Sequence, residues 1–201
     1  MKRFFVTLIT LIICAASVCS AESSGAMRLG ILPVFKASSV SGSLSPNDAE
    51  IATSTIYAGM INCADFELIS RTDVDRLVYE HELAATGLVD ASTAPAFGRM
   101  LGAEYLLITN VTGLTSTKKS GKNNYVVTAR MSARIVEVES GRVVLAATST
   151  ADSKVKITSS LMRVGTNNVD PGLATEALEK ASRGLVKELL NGLESKKRAR
   201  R

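Results

Sequence analysis

The single histidine, His81, sits between Glu80 and Glu82, so any imidazole-based triad, metal cluster or proton shuttle in this chain would have to be built on it. A zinc-protease helix needs a second histidine, which Glu80-His81-Glu82 lacks. His81 also falls in phase with Val74, Leu77 and Val78, and packing on an apolar helix face is its expected state. Asp73 and Asp75 carry the spacing of a cation chelate, yet both fall in the first turn of a helix, where carboxylates complement the dipole. Ser116 with Lys119, and Ser153 with Lys156, match the spacing that lets a lysine deprotonate a serine when a helix holds both on one side. The first pair falls in a polar loop and the second in a strand, where residues three apart face opposite ways. No Gly-x-Gly-x-x-Gly, phosphate loop or Gly-x-Ser-x-Gly elbow occurs. The expectation is no catalytic, cofactor-binding or metal-binding residue, with partner-binding residues left unknown.

The chain has 201 residues, of which 46% are apolar and 21% charged, a globular composition rather than a disordered one. Its formal charge of +5 suggests a nucleic-acid-seeking protein until the charges are located. Setting aside Lys2 and Arg3 at one end and Lys196, Lys197, Arg198, Arg200 and Arg201 at the other leaves 17 basic residues against 19 acidic ones. A near-neutral body with a basic tail, residues 196–201, lacks the spread of Lys and Arg that a phosphate-binding face requires, so no nucleic-acid partner is expected. The tail reads as a solvated, frayed end.

Met1-Lys2-Arg3, the apolar stretch Phe4 to Ala16 and the small residues through Ala21 have the layout of a secretory signal peptide, with cleavage expected after Ala21. The apolar run is too short to span a bilayer comfortably, and no later stretch approaches the length needed, so no transmembrane segment is expected in the mature chain. Val18 occupies the place where a lipoprotein signal puts a small residue before the cysteine, which disfavours lipidation of Cys19. Cleavage would leave Cys63 as the one cysteine, unable to form an internal disulfide and expected to be buried.

The elements that would carry these residues alternate between the two hydrophobic periods. Met27 to Phe35 is nearly continuously apolar, as a strand covered on both faces would be, with Pro33 limiting its ladder. Ser45-Pro46 opens a helix, with Ile51, Thr55, Ala58 and Asn62 in phase and Ile56 and Met60 widening the stripe, to an end near Ala64. Phe66 to Ile69 is a short strand. Thr72 and Asp75 resemble a capping box for the next helix, which Gly87 stops. Asp90 or Ser92 would cap a shorter helix carrying Ala94, Phe97 and Leu101, ended by Gly102. Tyr105 to Ile108 is the candidate central strand, and Ser116 to Asn124 reads as a polar loop. Val127, Ala129, Met131, Ala133 and Ile135 alternate with polar residues. Glu139-Ser140-Gly141 supplies a turn, and Val143, Leu145 and Ala147 restart the alternation in an antiparallel partner. Ser159 to Val169 is a second polar connection before Asp170-Pro171 starts a helix lined by Leu178, Ala181, Leu185, Leu189 and Leu193. The sum is an α/β protein with a mixed sheet of about five strands flanked by helices and a C-terminal helix, residues 22–195 forming one domain.

From Met27 to about Lys156 the chain resembles the CsgG family of envelope proteins. The resemblance is carried by Leu29-Gly30-Ile31-Leu32-Pro33-Val34-Phe35, by Phe66-Glu67-Leu68-Ile69-Ser70-Arg71, by Leu77 through Glu80 and by Glu82 through Leu88. Leu101-Gly102-Ala103-Glu104-Tyr105-Leu106-Leu107, and Ala133 to Val136 with Ser140 to Val143, complete it. The resemblance implies a non-enzymatic binding or assembly protein of the bacterial periplasm, tied to curli-type secretion or outer-membrane assembly. Its partners would be envelope proteins, with a homo-oligomer and an outer-membrane association left open. The penicillin-binding-protein activator LpoB looks like a relative of the same fold, which makes a regulator of a peptidoglycan synthase the alternative. A family channel builds its membrane barrel from two long hairpins. Ser116 to Asn124 and Thr158 to Val169 read as too short for them, so no pore is expected.

Overall fold

In the computed structural model, which describes residues 26–37, 40, 44–80, 93–119, 124–156 and 171–199, Pro33 divides the first apolar run. β1 covers Met27–Ile31 and β2 only Phe35–Lys36. The Leu32 amide still donates to the Leu107 carbonyl at 3.0 Å. Pro33 has no N–H to give, and the Val34 amide leaves the ladder to donate to Thr53 Oγ1 at 3.0 Å. The single strand expected from Met27 to Phe35 is therefore two, on either side of the residue that cannot donate.

α1 (Pro46–Met60) starts as the sequence implies, with Pro46 in the first turn and Ser45 Oγ accepting from the Asp48 amide at 3.4 Å. It ends earlier than Ala64, and its buried face is Ala52, Thr53, Ile56 and Met60, whereas Ala58 and Asn62 are exposed. The apolar stripe is rotated from the one centred on Ile51 and Thr55, because α1 must also meet a second helix. A Cβ added at Gly59 would lie 2.7 Å from Val186 Cγ1, so the two helices approach at a residue without a side chain.

β3 (Phe66–Leu68) leads into α2 (Arg71–Glu80), which buries Val74 and Val78 as expected. Instead of a Thr72 capping box, the Ser70 carbonyl accepts from the Asp73 and Val74 amides, so the helix begins two residues earlier, at Arg71. His81, Asp90 and Ser92 lie outside the described residues. α3 (Ala94–Leu101) buries Ala94 and Phe97 and ends at Gly102, whose φ of 62° is the left-handed conformation that a side chain would strain.

β4 (Tyr105–Lys119), β5 (Asn124–Glu137) and β6 (Val143–Lys156) form a long antiparallel meander. The strand order is β3-β1-β4-β5-β6, with β1 parallel to both neighbours and β2 paired to β4 beyond β1. The mixed sheet of about five strands is thus present, and β4 is its centre. The expected polar loop at Ser116 to Asn124 is mostly strand: residues 116–119 and 124 are paired in register. Thr115 and Thr117 are exposed and Leu114 and Ser116 half-buried, an alternation that β-branched threonine favours and that overall polarity conceals.

α4 (Pro171–Ala199) lies across β5 and β6, with Ala177, Leu178, Ala181, Leu185 and Leu189 fully or almost fully buried. It forms one core with α1 and the inward residues of β5, Val127, Ala129, Met131, Ala133 and Ile135. A second core on the other face joins α2 and α3 to Leu32, Leu106, Ile108 and Val136. Lys196, Lys197 and Arg198, read as part of a frayed tail, form the last turn of α4, where cations complement the helix dipole.

Candidate binding site at the foot of the sheet

The register brings one end of five strands together. Met27 pairs with Phe66, Leu29 with Tyr105, and Tyr105 with Glu137. At the same end β5 turns into β6 through Glu139-Ser140-Gly141, with Gly141 at φ 68° and its amide donating to the Glu137 carbonyl at 2.9 Å. Above this end runs the last stretch of α4, which brings Leu193, Lys196 and Lys197 over the strand starts.

Between helix and strands lies a cavity of about 310 Å³. Its apolar wall is Met27, Phe66, Tyr105, Leu145 and Leu193. The Phe66 and Tyr105 rings meet edge to face, with centroids 6.0 Å apart and planes at 66°. Its polar wall is Asp65, Glu137, Arg142, Lys196 and Lys197. Lys197 Nζ is ion-paired with Asp65, and Glu137 accepts from Ser140 Oγ. Arg142 and Lys196 have no ion-pair partner among the described residues. A cleft of about 420 Å³ shares Tyr105 and Glu137 and adds Arg99, Glu104 and Glu139. Among the described residues no three His, Cys, Asp or Glu side chains are placed to hold a metal ion.

The residues singled out for chemistry are scattered. Asp73 pairs with Arg76 at 3.3 Å and Asp75 with Arg71 at 3.4 Å, ion pairs on α2 rather than a chelate. Ser116 and Lys119 lie in β4, not in a loop. Ser153 is fully buried and donates its hydroxyl proton to Glu176 across to α4. Lys180 Nζ is 2.6 Å from the other Glu176 oxygen. The Lys180 and Ser153 hydrogen bonds hold the Glu176 carboxyl below the usual carboxylate range against an opposing effect of burial, which makes it a weak base for activating Ser153. Cys63 is half-buried rather than buried, with its thiol 4.0 Å from Asp65 Oδ2. No described helix is long and apolar enough to cross a membrane. The cavity residues escaped sequence reading because no two of its walls share a motif; the one local signal was a cation directly after the Ser140-Gly141 turn.

The family model for the curli production assembly/transport component CsgG matches residues 34–201. The chain belongs to the CsgG family. The match reaches past Lys156 to include α4, so the helix over the cavity is part of the family's domain. No curated protein matches the sequence. Among solved structures, the fold is similar to the hypothetical protein CT253 from Chlamydia trachomatis, at 13% identity and a TM-score of 0.52 over 84% of this chain and 99% of that one. It is similar to lipoprotein GNA1162 from Neisseria meningitidis, at 13% identity and a TM-score of 0.50 over 80% and 99%. The expected likeness to LpoB is present with the C-terminal domain from Salmonella enterica, at 19% identity and a TM-score of 0.45 over 68% and 90%. At these identities the likenesses concern the fold.

Proposed function

We propose that this CsgG-family chain is a non-enzymatic binding or assembly component of the bacterial cell envelope, exported by residues 1–21 and working in the periplasm in curli-type secretion or outer-membrane assembly. The observation that carries the reading is the family match over residues 34–201, which takes in every strand of the meander and the whole of α4. The site chemistry agrees with it. Glu176 is engaged by Lys180 and Ser153 and Asp65 by Lys197, while the foot of the sheet presents an apolar wall beside Arg142 and Lys196, which have no ion-pair partner among the described residues. Such a mixture suits recognition of another molecule.

The mature protein runs from Glu22, its partners are envelope proteins, and any self-association uses strand edges and helix faces of the folded body. Crosslinking in the periplasm of the native host tests this. Adducts with secretion or outer-membrane assembly proteins support the reading, adducts with a peptidoglycan synthase select the LpoB-like regulator instead, and retention of an uncleaved chain in the cytoplasm contradicts both.

A further inference from the structure

We propose that the cavity under the last turns of α4 takes the free C-terminal end of a partner polypeptide whose last side chain is bulky and apolar. This rests on the reading of the chain as a protein-binding module and names the partner's chemistry. Three properties of the cavity point to that ligand together. Its volume of about 310 Å³ is at the small end of ligand sites, enough for one large side chain with its own backbone. Its apolar wall, with the edge-to-face Phe66 and Tyr105 rings and Leu193 opposite, offers contacts to such a side chain.

The polar wall is the third property. Asp65 already neutralises Lys197, so the charges left for a ligand are those of Arg142 and Lys196, which suit a carboxylate. The Glu137 carboxylate, occupied on one side by Ser140, has acceptor capacity remaining for an N–H. A polypeptide end brings all three complements at fixed spacing: a carboxylate, an amide N–H and an apolar side chain. A fatty acid matches the cations and the apolar wall but has no donor for the acceptor capacity that Ser140 leaves on Glu137.

The test uses the mature chain and fluorescence anisotropy of the labelled peptide Gly-Ser-Gly-Leu-Phe with a free carboxylate. The expected result is saturable binding that weakens by roughly tenfold or more when the carboxylate is amidated or when Phe is replaced by Ser. Lys196→Gln and Arg142→Gln, both at exposed positions, should weaken the free-carboxylate peptide and leave the amide unchanged. Leu193→Trp, checked for native circular dichroism, should block the cavity. Equal binding of acid and amide, or calorimetric binding of octanoate with no saturable binding of the peptide, overturns the proposal. If the peptide fails to bind while a photo-crosslinker at Val144, which also lines the cavity, still captures an envelope protein in the periplasm, the ligand assignment falls and the function stands. A chain that never leaves the cytoplasm removes the function itself.

Discussion

Lys197, in the last turn of α4, is ion-paired with Asp65, the residue that leads into β3. The pair joins the end of the longest helix to the edge strand farthest from β6, across the mouth of the cavity. It explains why a run of basic residues that reads as a tail is held as helix. Lys196, beside it, has no ion-pair partner among the described residues.

Lys197→Ala should cost well under about 1 kcal/mol of global stability, since the lysine is more than half exposed and such pairs are screened by water. The local effect should be larger. Hydrogen exchange of the amides from Glu194 to Ala199 should speed up in the variant and, in the parent, at high salt. Unchanged exchange would show that the pair does not hold the helix end.

Glu176 gives a pH signature. Its carboxyl is held below the ordinary value of 4.5 by the Lys180 and Ser153 hydrogen bonds, so the folded chain takes up its proton less readily than the unfolded one. The resulting stabilisation is full above that ordinary value and is lost as the pH falls through the lowered one. Glu176→Gln should therefore melt below the parent at neutral pH, and the gap should close as the pH is taken below the ordinary carboxylate range. A gap that widens on acidification would reverse the assignment.

Gly98 in α3 lies against Val138, just after β5. A Cβ there would come within 2.2 Å of Val138 Cγ2, and Val138 is itself buried. Gly98→Ala should destabilise the fold by about 1–3 kcal/mol despite the better helix propensity of alanine. Adding Val138→Ala should recover part of that loss, a non-additivity measurable by denaturant titration.

The leader is tested by mass. Protein recovered from the periplasm should begin at Glu22, as the small residues Cys19 and Ala21 around the expected cleavage point imply. A diacylglyceryl group on Cys19 would contradict it.

The legible parts of the sequence were those with an apolar period of their own. Val127 through Ile135 alternate at the period of a strand, and Leu178 through Leu193 recur at that of a helix, and both lie in the main core as read. Gly102 and Gly141 mark a helix end and a turn because they are the glycines that take positive φ among the described residues. The end of β4 was hidden, since Thr115, Ser116 and Thr117 show no apolar alternation and are held as strand by their register with Val126, Val127 and Thr128. The cavity was hidden for a different reason. Its walls come from Met27, Phe66, Tyr105, Arg142 and Leu193, far apart in the chain, and only the parallel pairing of β1 with β3 and β4 aligns their ends.

Binding of an envelope protein outside the cytoplasm is the proposal on which the role of this CsgG-family chain turns. Site-specific photo-crosslinking in living cells, with the crosslinker at Val144 on the cavity wall and the adduct identified by mass spectrometry, is the measurement that decides it. The expected result is one discrete adduct between a chain beginning at Glu22 and an envelope protein, lost when Leu193 is replaced by Trp. An uncleaved chain with no adduct, or an adduct only with cytoplasmic proteins, would contradict it.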